Sequence, residues 1–173
     1  MSVRVGRLEP GTYEVGRARR ARFPIHRVVG RDGPVADLGR YSALWIYFGP
    51  GQRARLADGR EWRVTATRYG GGLSTLIVDE ARRRVAQAFP GIGNYHLDVV
   101  DGGYVLNPAE GGRGRANRWL IDDGDAVLAT VSRRPHRLVV DREIPLGVGL
   151  LALLLALTGI PGEGDLGVPA QYA

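Results

Sequence analysis

Apolar and polar residues along most of this chain alternate with a period of two in short runs. Four Asp-Gly pairs fall between those runs: Asp32-Gly33, Asp58-Gly59, Asp101-Gly102 and Asp123-Gly124. A type I′ hairpin turn needs positive φ at its central residues, which Asp tolerates and Gly accepts freely, so an Asp-Gly pair between alternating runs predicts a β-hairpin. Around Asp58-Gly59 the flanks are Arg53–Ala57 and Arg60–Arg68, in which Trp62, Val64 and Ala66 alternate with Arg63, Thr65 and Thr67. Tyr95–Val100 and Gly103–Leu106 flank the third pair, and Arg118–Ile121 and Ala126–Ser132 flank the fourth. In that last run Val127, Ala129 and Val131 are expected to face inward and Leu128, Thr130 and Ser132 outward, because period two fixes both faces once one is buried. Arg22–Val29, Val35–Leu38, Leu44–Phe48 and His136–Asp141 read as further short strands. Residues 74–89 read either as two strands about a turn at Asp79-Glu80-Ala81-Arg82 or as one helix; the neighbouring hairpins favour the first. Some ten to twelve short strands at near-regular spacing predict a closed barrel or a sandwich.

The far end follows a different pattern. Ile144–Gly162 is an uncharged run of 19 residues, and Leu146–Leu157 is almost wholly aliphatic. A helix over 145–158 would rise about 21 Å, short of the roughly 30 Å of a bilayer's hydrocarbon core. Pro145 suits its first turn, and Gly159-Ile160-Pro161 supplies a stop. Being apolar on all sides, it must be buried in protein, which predicts a barrel wrapped around a central helix. The competing reading is a tail anchor over 144–162, with the Arg-rich body on the cytoplasmic side. Residues 1–160 read as a single domain and 161–173 as a flexible tail. The first ten residues lack the apolar stretch of a secretory signal.

Composition narrows the chemistry. The chain has no cysteine, which excludes disulfides, thiolate metal sites and cysteine nucleophiles. His26, His96 and His136 do not stand at metal-ligand spacing, and no nucleophile elbow or dinucleotide fingerprint occurs. Gly70-Gly71-Gly72 lacks the lysine of a phosphate loop. Asp122, Asp123 and Asp125 sit in too short a loop for Ca²⁺, and Gly111–Arg115 reads as a plain loop. No enzyme, cofactor, metal or small-molecule substrate is expected.

All 24 basic residues are arginine, a bias that fits a GC-rich genome. Their placement says more than their number. Residues 1–84 hold 17 Arg against 8 acidic residues, whereas residues 85–173 hold 7 against 10. The first half therefore carries a field that favours an anionic partner. Arg17, Arg19, Arg20 and Arg22 form one cluster and Arg82, Arg83 and Arg84 another. Arginine forks bind phosphate in bidentate fashion, so these seven residues are the candidate anion-binding set. Few aromatics lie near them, so no stacking platform for nucleic acid is evident. The reading is a non-enzymatic binding module that associates with anionic phospholipid head groups, cytoplasmic and peripheral at the inner face of the membrane. The alternatives are the tail-anchored protein and a structural or interaction protein.

The order of elements at the end of the chain resembles a known superfamily. Trp119–Arg134 is a hairpin of the form strand, Asp-x-Gly turn, Val-Leu-Ala-x-Val-Ser-Arg; Arg137–Glu143 is a final strand; Ile144–Ile160 is the apolar segment. Together with Leu56–Trp62 and Asp98–Leu106 this is similar to the Tubby C-terminal-like domains, which include phospholipid scramblases and LURP-one-related proteins, and in particular to an uncharacterised bacterial member. The resemblance implies a closed antiparallel barrel of about twelve strands threaded by a hydrophobic C-terminal helix. Other branches are associated with phosphoinositide binding or phospholipid movement. Their functional residues do not carry over: no motif matches the basic residues that grip a head group. The acidic Ca²⁺ segment of scramblases is here only Asp141-Arg142-Glu143.

Overall fold

A computed structural model describes residues 6–18, 25–39, 52–69, 72–110 and 116–158. Its strands are β1 (Arg7–Leu8), β2 (Gly11–Ala18), β3 (Ile25–Gly30), β4 (Gly33–Leu38), β5 (Gln52–Leu56), β6 (Glu61–Tyr69) and β7 (Gly72–Val78). They continue with β8 (Arg84–Pro90), β9 (Tyr95–Val99), β10 (Gly102–Pro108), β11 (Arg118–Asp122), β12 (Val127–Arg133), β13 (His136–Val140) and β14 (Ile144–Pro145), before one helix, α1 (Leu146–Thr158). Strands β2 to β13 form a closed antiparallel barrel of twelve strands in which chain neighbours are also spatial neighbours. Pairing of β13 with β2, with Leu138 opposite Tyr13, closes the ring.

Each of the four Asp-Gly pairs falls at a hairpin turn of this meander, between β3 and β4, β5 and β6, β9 and β10, and β11 and β12. Residues 74–89 resolve as the hairpin β7–β8 and not as a helix. Its turn is closed by Asp79 N–H donating to the Arg83 carbonyl (3.0 Å) and Arg82 N–H donating to the Asp79 carbonyl (2.9 Å). Alternation holds along most strands and points Val28, Leu38, Ala54, Trp62, Ile77, Leu97, Leu106, Trp119 and Leu138 into a common core.

Helix α1 fills that core. Val148, Leu150, Leu151, Ala152 and Leu153 are fully buried. The helix packs on β7, β8 and β9 at one side and on β12 and β13 at another, as an element apolar all round must. It begins at Leu146, one residue later than the sequence suggests, because Pro145 is held in β14 opposite Arg7 of β1. That two-stranded pair packs against α1 through the buried Leu8 and Ile144, and the Gly6 carbonyl accepts the first helical N–H, from Leu146, at 2.8 Å. No helix among the described residues is long and apolar enough to cross a membrane.

One register expectation fails. Ala129 and Val131 face inward, but Val127 is 44% exposed and Leu128 is buried. The cause is a β-bulge: Ile121 pairs with Ala129 and Asp122 with Val127, so Leu128 is an extra residue and the alternation resets there. Expected strand Leu44–Phe48, the start of the expected strand at Arg22, the loop Gly111–Arg115 and the tail 161–173 lie outside the described residues.

Candidate anion-binding surface

Because β2 to β8 run consecutively around the ring, the arginine-rich half of the sequence supplies seven neighbouring strands of the twelve. Among the described side chains of β3 to β8 the exposed arginines are Arg27, Arg53, Arg55, Arg63 and Arg84, interspersed with the half-buried acids Asp37 and Glu61. On β9 to β13 the excess nearly vanishes, with Arg118, Arg133 and Arg137 against Asp98 and Asp122, and with Glu14 on the adjoining β2.

Register decides which of these charges are satisfied. One cross-strand row runs Arg27, Asp37, Arg55, Glu61, alternating in sign. Arg27 grips Asp37 with two prongs, Nε to Oδ1 at 2.7 Å and Nη2 to Oδ2 at 2.9 Å. Those hydrogen bonds hold the Asp37 carboxyl below the usual carboxylate range. Glu61 accepts from Arg53 Nη1 at 3.1 Å and stands 3.7 Å from Arg55 Nη2.

The adjacent row runs Arg53, Arg63, Val78, Arg84 and contains no acid. Arg53 and Arg63 are directly opposed, a repulsion that Glu61 relieves on the Arg53 side only. Neither Arg63 nor Arg84 forms an ion pair among the described residues. At roughly 4.8 Å per strand the row spans about 14 Å, enough for more than one phosphate.

The sequence-predicted arginines are not equivalent. Arg83 is clamped in the β7–β8 turn: Asp79 Oδ1 accepts its backbone N–H and Asp79 Oδ2 its Nε–H, both at 2.8 Å. The Arg83 backbone N–H, with its guanidinium, lowers the Asp79 pKa. Arg84 joins the wall, and Arg82 stands exposed at the turn. Arg17 lies in β2 opposite His26, and Arg19, Arg20 and Arg22 lie outside the described residues. Strands β2 and β8 are six places apart in the ring of twelve, so Arg17 and the Arg82–Arg84 group do not share a face.

Arg53 and Arg63 escaped the linear reading because ten residues separate them. Counting outward from Asp58-Gly59 as a two-residue turn would pair 55 with 62 and 53 with 64; the turn is instead the three residues Ala57-Asp58-Gly59, which sets 55 against 61 and 53 against 63.

The Asp122–Asp125 segment is turn chemistry. Asp123 Oδ1 accepts the N–H groups of Asp125 and Ala126, both at 3.0 Å, while Asp122 accepts from Gly124 and Asn107. Among the described residues no cluster of three His, Asp or Glu side chains is arranged to hold a metal. On β13, burial and then the nearby Arg133 and Arg134 push the pKa of His136 down. No protein-family model, curated protein or solved structure matches the chain.

Proposed function

We propose that the chain is a non-enzymatic module of the Tubby C-terminal-like kind. Its barrel docks side-on, through the wall of β3 to β8, onto acidic phospholipid at the cytoplasmic face of a membrane. The strand number, the ring closure and the enclosed terminal helix support the family likeness. The observation that carries the docking reading is the acid-free row Arg53, Arg63, Arg84. Exposed guanidinium groups pair with phosphate oxygens in a bidentate geometry. Each basic residue near an anionic leaflet contributes on the order of 1 kcal/mol, so three give a weak attachment that salt reverses. The tail-anchor reading draws no support from a helix whose side chains from Leu146 to Ala156 are buried wherever they exist.

Co-sedimentation with vesicles tests the proposal. The protein should pellet with phosphatidylserine-containing vesicles at low salt, remain free of pure phosphatidylcholine, and be released as the Debye length shortens toward about 8 Å near 0.15 M salt. Replacing Arg53, Arg63 and Arg84 together by alanine should weaken attachment about a hundred-fold. Thermal stability should change little, since exposed charges contribute little to folding. Equal binding to neutral vesicles, or full binding by the triple variant, overturns the reading.

A further inference from the structure

Arg82 has φ of 62° and is the only non-glycine residue at positive φ among the described residues. Its turn explains why that conformation is needed. Asp79 accepts from the N–H of Arg82 and donates to the carbonyl of Arg83, which makes a three-residue loop, Glu80-Ala81-Arg82, whose last residue must be left-handed. Glycine is the residue for that position, because a Cβ there crowds the backbone. The chain supplies glycine at positive φ elsewhere, at Gly33, Gly59, Gly93 and Gly124, and contains 26 glycines in all. An arginine kept in this conformation is strain that the fold does not require, and such strain concentrates where a side chain has work to do.

The surroundings leave the guanidinium available. Arg82 is exposed and forms no ion pair among the described residues. Both acids of its hairpin are engaged by the protein: the Asp79 carboxylate holds Arg83, and Glu80 Oε1 accepts the Glu61 backbone N–H at 3.0 Å. Two residues on, Arg84 begins the acid-free row.

We infer that the β7–β8 hairpin tip is the leading contact of the barrel with an acidic phospholipid surface, and that Arg82 is retained there to meet a lipid phosphate. This rests on the docking reading above, and it adds an orientation: the barrel lies on that wall tilted toward this hairpin.

Three variants separate the roles. Arg82→Gly relieves the backbone and removes the charge, Arg82→Asn tolerates the left-handed conformation without charge, and Arg82→Lys keeps both charge and strain. Against phosphatidylserine-containing vesicles at low salt, the Gly and Asn variants should bind about five-fold more weakly, the effect of one basic residue. Arg82→Lys should bind nearly as wild type. Thermal denaturation should place Arg82→Gly about 2–4 °C above wild type and Arg82→Lys level with it. Wild-type binding with undiminished binding by Arg82→Gly overturns the inference alone. A Tm for Arg82→Gly at or below wild type also overturns it, since no strain is then being held. Wild type failing to bind acidic vesicles overturns the docking reading, and this inference with it.

Discussion

Gly149 lies inside helix α1, where alanine would ordinarily be the better residue by about 1 kcal/mol. The packing around it opposes that gain. A Cβ at Gly149 would fall inside the van der Waals envelope of Leu8 Cδ1, 3.2 Å from Leu138 Cδ2 and 3.6 Å from Ile144 Cδ1. Leu8 is 2% exposed and Leu138 and Ile144 are fully buried, so the displaced methyl group has no free space to enter. Overpacking of this kind costs about 1–3 kcal/mol, so Gly149→Ala should be neutral to about 2 kcal/mol destabilising despite its better helix propensity. Leu8→Ala alone should cost about 2–5 kcal/mol as a buried truncation. In that background the new methyl group occupies vacated space, and Gly149→Ala should become stabilising by about 1 kcal/mol. Denaturant unfolding of the four proteins gives the coupling directly. If Gly149→Ala stabilises by the same amount with and without Leu8, then Leu8 does not pack over the helix at Gly149.

Leu154→Ala should cost about 2–5 kcal/mol in denaturant unfolding, because α1 is enclosed; a loss near zero contradicts the buried helix. A chain ending at Glu143 lacks the filling of its own barrel and should show no cooperative unfolding transition by calorimetry. The lowered pKa of His136 means that the unfolded chain binds its proton more tightly than the folded one. Stability should therefore be complete above the unfolded value of about 6.5 and decline as pH falls toward the lower folded value. Asp37, Asp58 and Asp123 are shifted down from the ordinary carboxylate value, away from that window. Unfolding midpoints at pH 8 and pH 5.5 should thus differ more for wild type than for His136→Asn, and equal differences refute the assignment.

Hairpins were the legible part of this sequence. Each Asp-Gly pair marks a turn chemically, and period two on either side shows which residues face in, but the register of β5–β6 was not legible, because the three-residue turn Ala57-Asp58-Gly59 shifts the pairing by one from a two-residue turn. The terminal helix was legible for a different reason: a segment apolar on all faces and too short to span a bilayer has few places to go. Bulges were not legible. Nothing about Leu128 marks it as an extra residue; the irregularity arises from its pairing with β11, and the faces of Val127 and Leu128 exchange in consequence. The pair β1–β14, at two residues a strand, carries too little pattern to read and exists because Leu8 and Ile144 are buried against the helix. On the surface, linear clustering and strand pairing group the arginines differently. Arg83 belongs to its turn through Asp79, whereas Arg53 and Arg63 become neighbours only through strand pairing.

The proposed docking through β3 to β8 can be tested cleanly, because the chain has no cysteine of its own. Thr65 of β6 and Thr130 of β12 both point outward, from strands six places apart in the ring of twelve. Single Thr65→Cys and Thr130→Cys variants, each carrying an environment-sensitive fluorophore, can be mixed with phosphatidylserine-containing vesicles that bear a head-group quencher. Side-on docking through β3 to β8 predicts strong quenching at position 65 that disappears with added salt, and little quenching at position 130. Equal quenching at the two positions, or stronger quenching at 130, contradicts it.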